Sequence, residues 1–229
     1  MPVRRTRRFS ASGWFARFTG RFFKGTGGLR MQYLIKKLKP EMAGEYVDFF
    51  ENHGFDENDC NRGCYCVWHH WTAEHENARS LLPQNERPFV KRDYAIALIK
   101  SGKLNGFAAF LDGKMAGFCN ADYKENYWRL DKRHNPDSWL GLSGKVLSIV
   151  CFVVDVNLRG KGIASALLAH VCDYASDMGI DYVEAYPSVG EFKQSACCGP
   201  LHMYEKQGFS VVCNRESEAV VRKATRQGG

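Results

Sequence analysis

DVNLRGKGIASALLAH, residues 155–170, follows an unbroken apolar run and packs two glycines and an arginine into the bend before a helix. Gly160 and Gly162 let the backbone turn tightly and come close to a bulky anion, because no Cβ penalises positive φ. The first amides of the helix that follows have no partner within it, and the helix dipole favours negative charge beside them. Arg159-Gly160-Lys161-Gly162-Ile163-Ala164 therefore reads as a phosphate-binding turn, with an ordinary strand-to-helix turn as the alternative. No Gly-Lys-Ser/Thr ends it, and no third glycine stands three residues on. The two common nucleotide fingerprints are excluded.

Working outward, KVLSIVCFVVD (145–155) is a continuous apolar run suited to a central strand buried on both faces. A helix is expected from about 160 to 178, then a strand over DYVEAYPS (181–188), where Pro187 stops the ladder. Residues 199–206 read as a short helix, and FSVVCNR and AVVRKA as a closing antiparallel pair. Upstream, 31–37 reads as a strand, 40–51 and 91–102 as helices with one apolar side, and HNPDSWLGLSG (134–144) as a loop. FAAFLDGKMAGFCNAD gives two strands joined at Asp112-Gly113, a strong hairpin signal. No internal repeat is visible. The pattern is α/β.

The turn resembles motif A of the GCN5-related N-acetyltransferase (GNAT) superfamily, Gln/Arg-x-x-Gly-x-Gly/Ala, with Arg159, Gly162 and Ala164 at the matching positions. The preceding strand, the long helix, DYVEAYP and GPLHMYEKQGF (199–209) follow in the superfamily's order, the last resembling its motif B. GCYC (63–66) and the CNAD segment further resemble a bacterial branch of it. The resemblance covers about 31–223. It implies a mixed, mostly antiparallel central sheet flanked by helices, with a V-shaped splay between the strands at 145–155 and 181–187. Residues 1–30 would be a basic, aromatic extension and 224–229 a tail.

The ligand so implied is acetyl-CoA, with its pyrophosphate on Arg159, Gly160, Lys161, Gly162, Ile163 and Ala164. Its pantetheine would run along the strand edge at Val154 and Val156, with an acceptor amine attacking the thioester directly. Tyr204 takes the position of the superfamily's general acid, a phenol matched to a departing thiolate. Glu184, a carboxylate in an apolar strand on one face with Tyr182 and Tyr186, is the candidate base, direct or through water, or else an anchor for the amine. Asn120 and Asp122, with Cys66, Trp68 and Tyr186, are assigned to the acceptor pocket. His202 is expected to face away from the chemistry.

DCNRGCYCVWHHW (59–71) offers Cys60, Cys64, Cys66, His69 and His70 as soft ligands, yet lacks the usual Cys-x2-Cys knuckle. A strand there would point Cys64 and Cys66 the same way. A pocket wall is favoured, no metal is expected, and a zinc site or a thiol role stays as the alternative. Cys197-Cys198 lies near where the acyl thioester so implied should end, although the superfamily does not need a nucleophilic cysteine.

The chain has 229 residues and a formal charge of +7. Arg4, Arg5, Arg7, Arg8, Arg17, Arg21, Lys24 and Arg30 carry it all: the rest holds 24 bases against 25 acids. A near-neutral body argues against nucleic acid. The extension, with Trp14, Phe15, Phe18 and Phe22 on one side of a helical wheel, reads as a packed or non-native leader, a membrane-surface helix, a targeting segment or a binding arm. Nine cysteines, an odd count with Cys151 and Cys172 in apolar runs, and no secretory signal lead to the expectation of a reducing cytoplasm. The partner expected is a small-molecule amine, with a peptide or protein amine and a homodimer left open. A non-catalytic acyl-CoA-binding domain is the rival reading.

Overall fold

The computed structural model describes residues 21–22, 32–131, 142–189, 197–215 and 217–225. Most of the expected extension, residues 134–141 of the expected loop and residues 226–229 of the expected tail lie outside the described residues. Arg21–Phe22, inside the expected extension, pairs with the next strand as β1. The sheet continues with β2 (Gln32–Lys37), β3 (Gly106–Leu111), β4 (Lys114–Tyr123), β5 (Val146–Val154), β6 (Tyr182–Ala185), β7 (Ser210–Asn214) and β8 (Ala219–Ala224). Their order is β1-β2-β3-β4-β5-β6-β8-β7, and every pairing is antiparallel except β5 with β6. The expected mixed, mostly antiparallel sheet is present. Asp112 (φ 50°) and Gly113 (φ 80°) close the β3–β4 hairpin in the left-handed region that such a two-residue turn requires.

Among the described residues five α-helices flank the sheet: α1 (Ala43–Asn52), α2 (Ala73–Ser80), α3 (Arg87–Lys100), α4 (Ile163–Asp177) and α5 (Leu201–Glu205). The helix expected from residue 40 begins as a 3-10 turn, Pro40–Met42, before α1. The helix expected from 91 starts four residues earlier, at Arg87. α2 was not anticipated, because its eight residues are polar and bury none of their number. Its start is fixed by Thr72, whose hydroxyl accepts from the His75 amide while the His75 ring takes the Thr72 amide.

Two apolar cores lie on opposite faces of the sheet. α4 buries Ile163, Leu167, Leu168 and Val171 against Leu147, Ile149 and Phe152 of β5 and Val183 and Ala185 of β6. On the other face α1 and α3 bury Tyr46, Phe49, Phe50 and Ile99 against Phe118, Cys151 and Val153. β5 serves both cores, which is why its sequence shows no alternation.

One irregularity in β5 positions everything that follows. Asn120 pairs with Cys151, but Ala121 pairs with Ile149, so Val150 is an extra residue in the ladder. Such a bulge bends the strand and shifts its pleat by one. Leu147 and Ile149 face α4 before it, Phe152 faces α4 after it, and Cys151 is turned to the α1 side. β6 pairs with β5 only from Val146↔Tyr182 to Ile149↔Ala185. Past the bulge the parallel neighbours part. The expected splay opens there.

Candidate functional site

The bend at 159–164 is made by two left-handed glycines, Gly160 at φ 76° and Gly162 at φ 89°. Gly162 is the N-cap of α4, and the Ala166 amide is the first to return to it, at 2.9 Å from the Gly162 carbonyl. The amides of Ile163, Ala164 and Ser165 are thus the free donors of a helix start. A Cβ placed on Gly160 or Gly162 would meet nothing within 4 Å, so the space in front of this turn is open. A groove of about 490 Å³ runs from it, lined by Ile163, Ala164 and Ser165, along Phe152–Val154, to Gly199, Pro200 and His202. That combination of open space, free amides and helix dipole suits a phosphate.

β5 supplies backbone donors to the same groove. The Asp155 amide donates across to Ala116 of β4 at 3.0 Å, so the Val154 amide, one residue before, points the other way, into the splay. The Phe152 amide points there too and donates to the Cys197 carbonyl at 2.5 Å. Val156 does not share this role: its amide is engaged by the His53 carbonyl at 2.9 Å, which corrects the expectation of a second pantetheine contact. Arg159 is also placed differently. Its guanidinium donates to the Gly54 carbonyl at 3.1 Å and faces Asp56 and Asp59, bracing the 54–59 loop against the turn. Lys161 is exposed and stands outside the groove lining. Gly54, Phe55 and Asp59 do line it, and His202 lines it as well, contrary to expectation.

Beyond the bulge lies a second cavity of about 360 Å³, lined by Cys60–Cys64, Cys66, Trp68, His69, Lys91, Val150, Cys151 and Cys197. Segment 60–67 is a series of turns, not a strand, with Gly63, Tyr65 and Cys66 at φ 81°, 46° and 48°. The expectation that Cys64 and Cys66 point alike therefore fails. Among the described residues no group of three His, Cys, Asp or Glu is disposed to hold a metal. Cys66 and Trp68 lie in the cavity wall. Arg129 stacks over the Trp68 ring, 3.9 Å from its centroid, and donates to the Trp68 carbonyl.

Three other expected acceptor residues lie behind that wall. Asn120 is fully buried, donates to the Cys66 carbonyl at 2.8 Å and accepts from Tyr127 at 2.7 Å. It holds the wall in place and does not line the cavity. Asp122 is buried too, accepting from Asn105 and from the Tyr123 amide, each at 2.8 Å. Tyr186 is buried and donates to Glu184.

Glu184 has no exposed surface, and both its oxygens are occupied. Oε1 accepts from Lys124 and, at 2.6 Å, from Tyr186; Oε2 accepts from two Arg222 nitrogens at 2.9 and 2.7 Å. A carboxylate held by two cations and a phenol is not poised to take a proton from an amine. Glu184 joins β6 to β8 and to the turn after β4, which corrects its assignment as a base or amine anchor. Burial pulls Lys124 below the ordinary lysine range despite the Glu184 carboxylate beside it.

Tyr204 is fully buried, stacked edge-on against Phe209, and its hydroxyl donates to the Cys198 carbonyl. Burial pushes the phenol well above its usual range, so it carries its proton at neutral pH. The hydroxyl sits on the turn that closes the groove, one residue from Cys197. His69 and His70 are both pushed down to about 4, chiefly by burial, and are neutral. His69 Nδ1 is buried with no hydrogen-bond partner among the described residues. Cys64 is pushed up to about 12, mainly by burial. Cys197 goes the other way, to about 3, chiefly through the neighbouring thiols of Cys151 and Cys198, with His69 adding to the effect.

A larger apolar groove, about 650 Å³, lies between β2, Glu41–Glu45 and α4, and shares no lining residue with these two cavities.

The sequence pattern of the acetyltransferase (GNAT) family matches residues 67–209, from the wall of the second cavity to Phe209 beside Tyr204. Among solved structures, the chain is similar to an acetyltransferase of the GNAT family from Listeria monocytogenes 4b F2365, with a TM-score of 0.54 and 11% identity, covering 89% of this chain and 99% of that one. It is also similar to the GNAT domain of S. lividans PAT, with a TM-score of 0.54 and 15% identity, covering 92% and 99%. At these identities the likeness is one of fold. No curated protein matches the chain.

Proposed function

The chain belongs to the acetyltransferase (GNAT) family, and on that premise we propose that it moves an acetyl group from acetyl-CoA to a primary amine. The observation that carries this reading is the pair of adjoining cavities, one floored by backbone amides and the other by side chains, which meet at Cys197 and Asn61. Gly160, Gly162, Ile163 and Ala164 hold the pyrophosphate, and the Val154 amide bonds the pantetheine or polarises the thioester carbonyl. Tyr204 protonates the departing CoA thiolate, exchanging its bond to the Cys198 carbonyl for one to sulfur.

The acceptor class follows from the wall of the second cavity. Lys91 and Arg62 line it, and no Asp or Glu does among the described residues. A cationic wall without carboxylates suits an amine that also bears an anionic group, such as an amino acid, and disfavours a polyamine. Calorimetry with CoA tests the donor half, and acetyl-CoA turnover on a panel of amines tests the acceptor half. CoA binding with higher kcat/KM for amino-acid amines than for polyamines is the expected result. Binding without turnover on any amine would leave a non-catalytic acyl-CoA-binding domain, and no binding would end the reading.

A further inference from the structure

The 650 Å³ groove stands apart from the two cavities of the acyl-transfer site, and an open sheet edge runs along it. β3 pairs with β2 from Leu34 to Lys37, but on its other side β2 is met only at Gln32 and Tyr33, by β1. Backbone groups of an antiparallel strand point to its two neighbours by turns. The Leu38 amide donates to the Gly106 carbonyl at 2.9 Å, so Leu34, Lys36 and Leu38 face β3, while Ile35 and Lys37 present their backbone groups on the open side. Among the described residues no strand takes them up. Such an edge is a ready template for another extended segment.

The groove walls that edge on both faces. On one, Leu34 packs toward the α1 core, beside Met42 and Glu45. On the other, Ile35 is buried against α4, beside Tyr174, Asp177 and Met178. Its lysines are engaged: Lys36 lies over the Phe110 ring, Lys37 over that of Tyr174, and Lys39 is 3.9 Å from Glu41. Glu45 and Asp177 are exposed and make no ion pair among the described residues. An extended, cationic segment with an apolar side chain complements these walls.

We propose that residues 15–20 of this chain, FARFTG, are that segment and continue β1 along β2. β1 sets Arg21 opposite Tyr33 and Phe22 opposite Gln32. Carried back without a break, that register sets Thr19 opposite Ile35 and Arg17 opposite Lys37. Opposed residues share a face, so Phe18 falls on the Leu34 and Lys36 face toward Met42, and Arg17 on the α4 face toward Asp177. The reach fits as well. Tyr33 to Lys37 is about 13 Å at the ordinary strand rise, a distance that residues 17–20 span. The groove takes this chain's own extension, which closes the sheet edge, and not a separate partner.

Hydrogen exchange of the full chain, resolved by amide NMR, tests this at Ile35 and Lys37. Both amides should exchange about 100-fold or more below the unfolded-chain rate. Thr19→Pro removes the amide that faces Ile35 and should reduce that protection by about tenfold or more. Gly20→Pro removes one that points away from β2 and should keep it. Phe18→Asp should lose the protection too, by taking the ring from the Met42 wall. Amides of β5 report that each variant is folded, and if Thr19→Pro disturbs them, Phe18→Asp takes its place in the comparison. Fast exchange at Ile35 and Lys37 in the wild-type chain would overturn the proposal. So would protection that survives Thr19→Pro, or equal losses in Thr19→Pro and Gly20→Pro. Protection that rises with protein concentration, alongside twice the chain mass by light scattering, would give the edge to a second copy and overturn it likewise.

Discussion

The two adjoining cavities are built by different means. The groove proposed for the donor is backbone chemistry: two left-handed glycines, the first amides of α4 and the outward amides of β5. The cavity proposed for the acceptor is side-chain chemistry, with cysteines, histidine, tryptophan and lysine drawn from the turns after α1, from α3, β5 and the 197–200 turn. Backbone donors need only a local bend to be presented. Side chains must be held by a second layer, and here that layer is a buried polar chain from Tyr127 through Asn120 to the Cys66 carbonyl. A ligand with fixed chemistry can be met by the first kind of site, while a variable acceptor calls for the second.

The largest expected effect tests whether Glu184 supports the acceptor side or reacts there. Glu184→Gln leaves Lys124, with no exposed surface, and Arg222 without their carboxylate. Breaking a buried ion pair in this way costs about 3–5 kcal/mol, readable by urea unfolding. A variant of unchanged stability whose rate falls and then recovers at high pH would restore Glu184 as a base.

Tyr204 comes next: it lines neither cavity, but its hydroxyl holds the Cys198 carbonyl, one residue from Cys197 where the two cavities meet. Tyr204→Phe keeps the ring against Phe209 and removes the proton donor, so turnover should drop by about 10²-fold with CoA affinity little changed. If stability falls and the rate of the remaining folded protein does not, the hydroxyl only secures the Cys198 carbonyl.

A smaller loss is expected on the donor side. Gly162→Val must adopt φ near 89° with a branched side chain and fill the open space before the turn. Strain of about 1–3 kcal/mol should appear as tenfold or greater weakening of CoA binding, with thiol labelling of the exposed Cys60, which lines only the second cavity, unchanged. Equal CoA affinity by calorimetry would break the assignment of this turn to the pyrophosphate.

A last test reads the buried histidines through pH. His69 and His70 ordinarily titrate near 6.5 and are held near 4 in the fold, so between those values the unfolded chain binds protons that the folded chain does not. Stability should therefore rise with pH across that window and be lost as pH falls through it. Replacing both with Gln should flatten this part of the dependence, measured as the urea midpoint at pH 7 and pH 5. A slope unchanged by the replacements would mean that both rings titrate in the fold as they do in the unfolded chain.

The sequence by itself determined the glycine turn before α4. Gly160, Gly162 and the start of α4 are neighbours along the chain, and their conformational demands are local, so the turn and the order of elements could be read directly. The hairpin at Asp112-Gly113 was legible for the same reason. What a side chain meets across the sheet was not. Glu184 on its strand showed the right face but not Lys124 and Arg222, which come from the turn after β4 and from β8. Asn120 and Asp122 showed the right strand but not their burial behind the wall. Val156 and Arg159 stood in the right motif, yet the loop carrying His53, Gly54 and Asp56 took their donors. The bulge at Val150 decided most of this. It shifts the pleat of an apolar run in which every residue but Val154 is buried, so no pattern of polar and apolar positions records it. By turning Cys151 toward the α1 side and opening β5 from β6, it brings Cys197 between the cavities, from segments 46 residues apart in sequence, a meeting that only tertiary structure arranges.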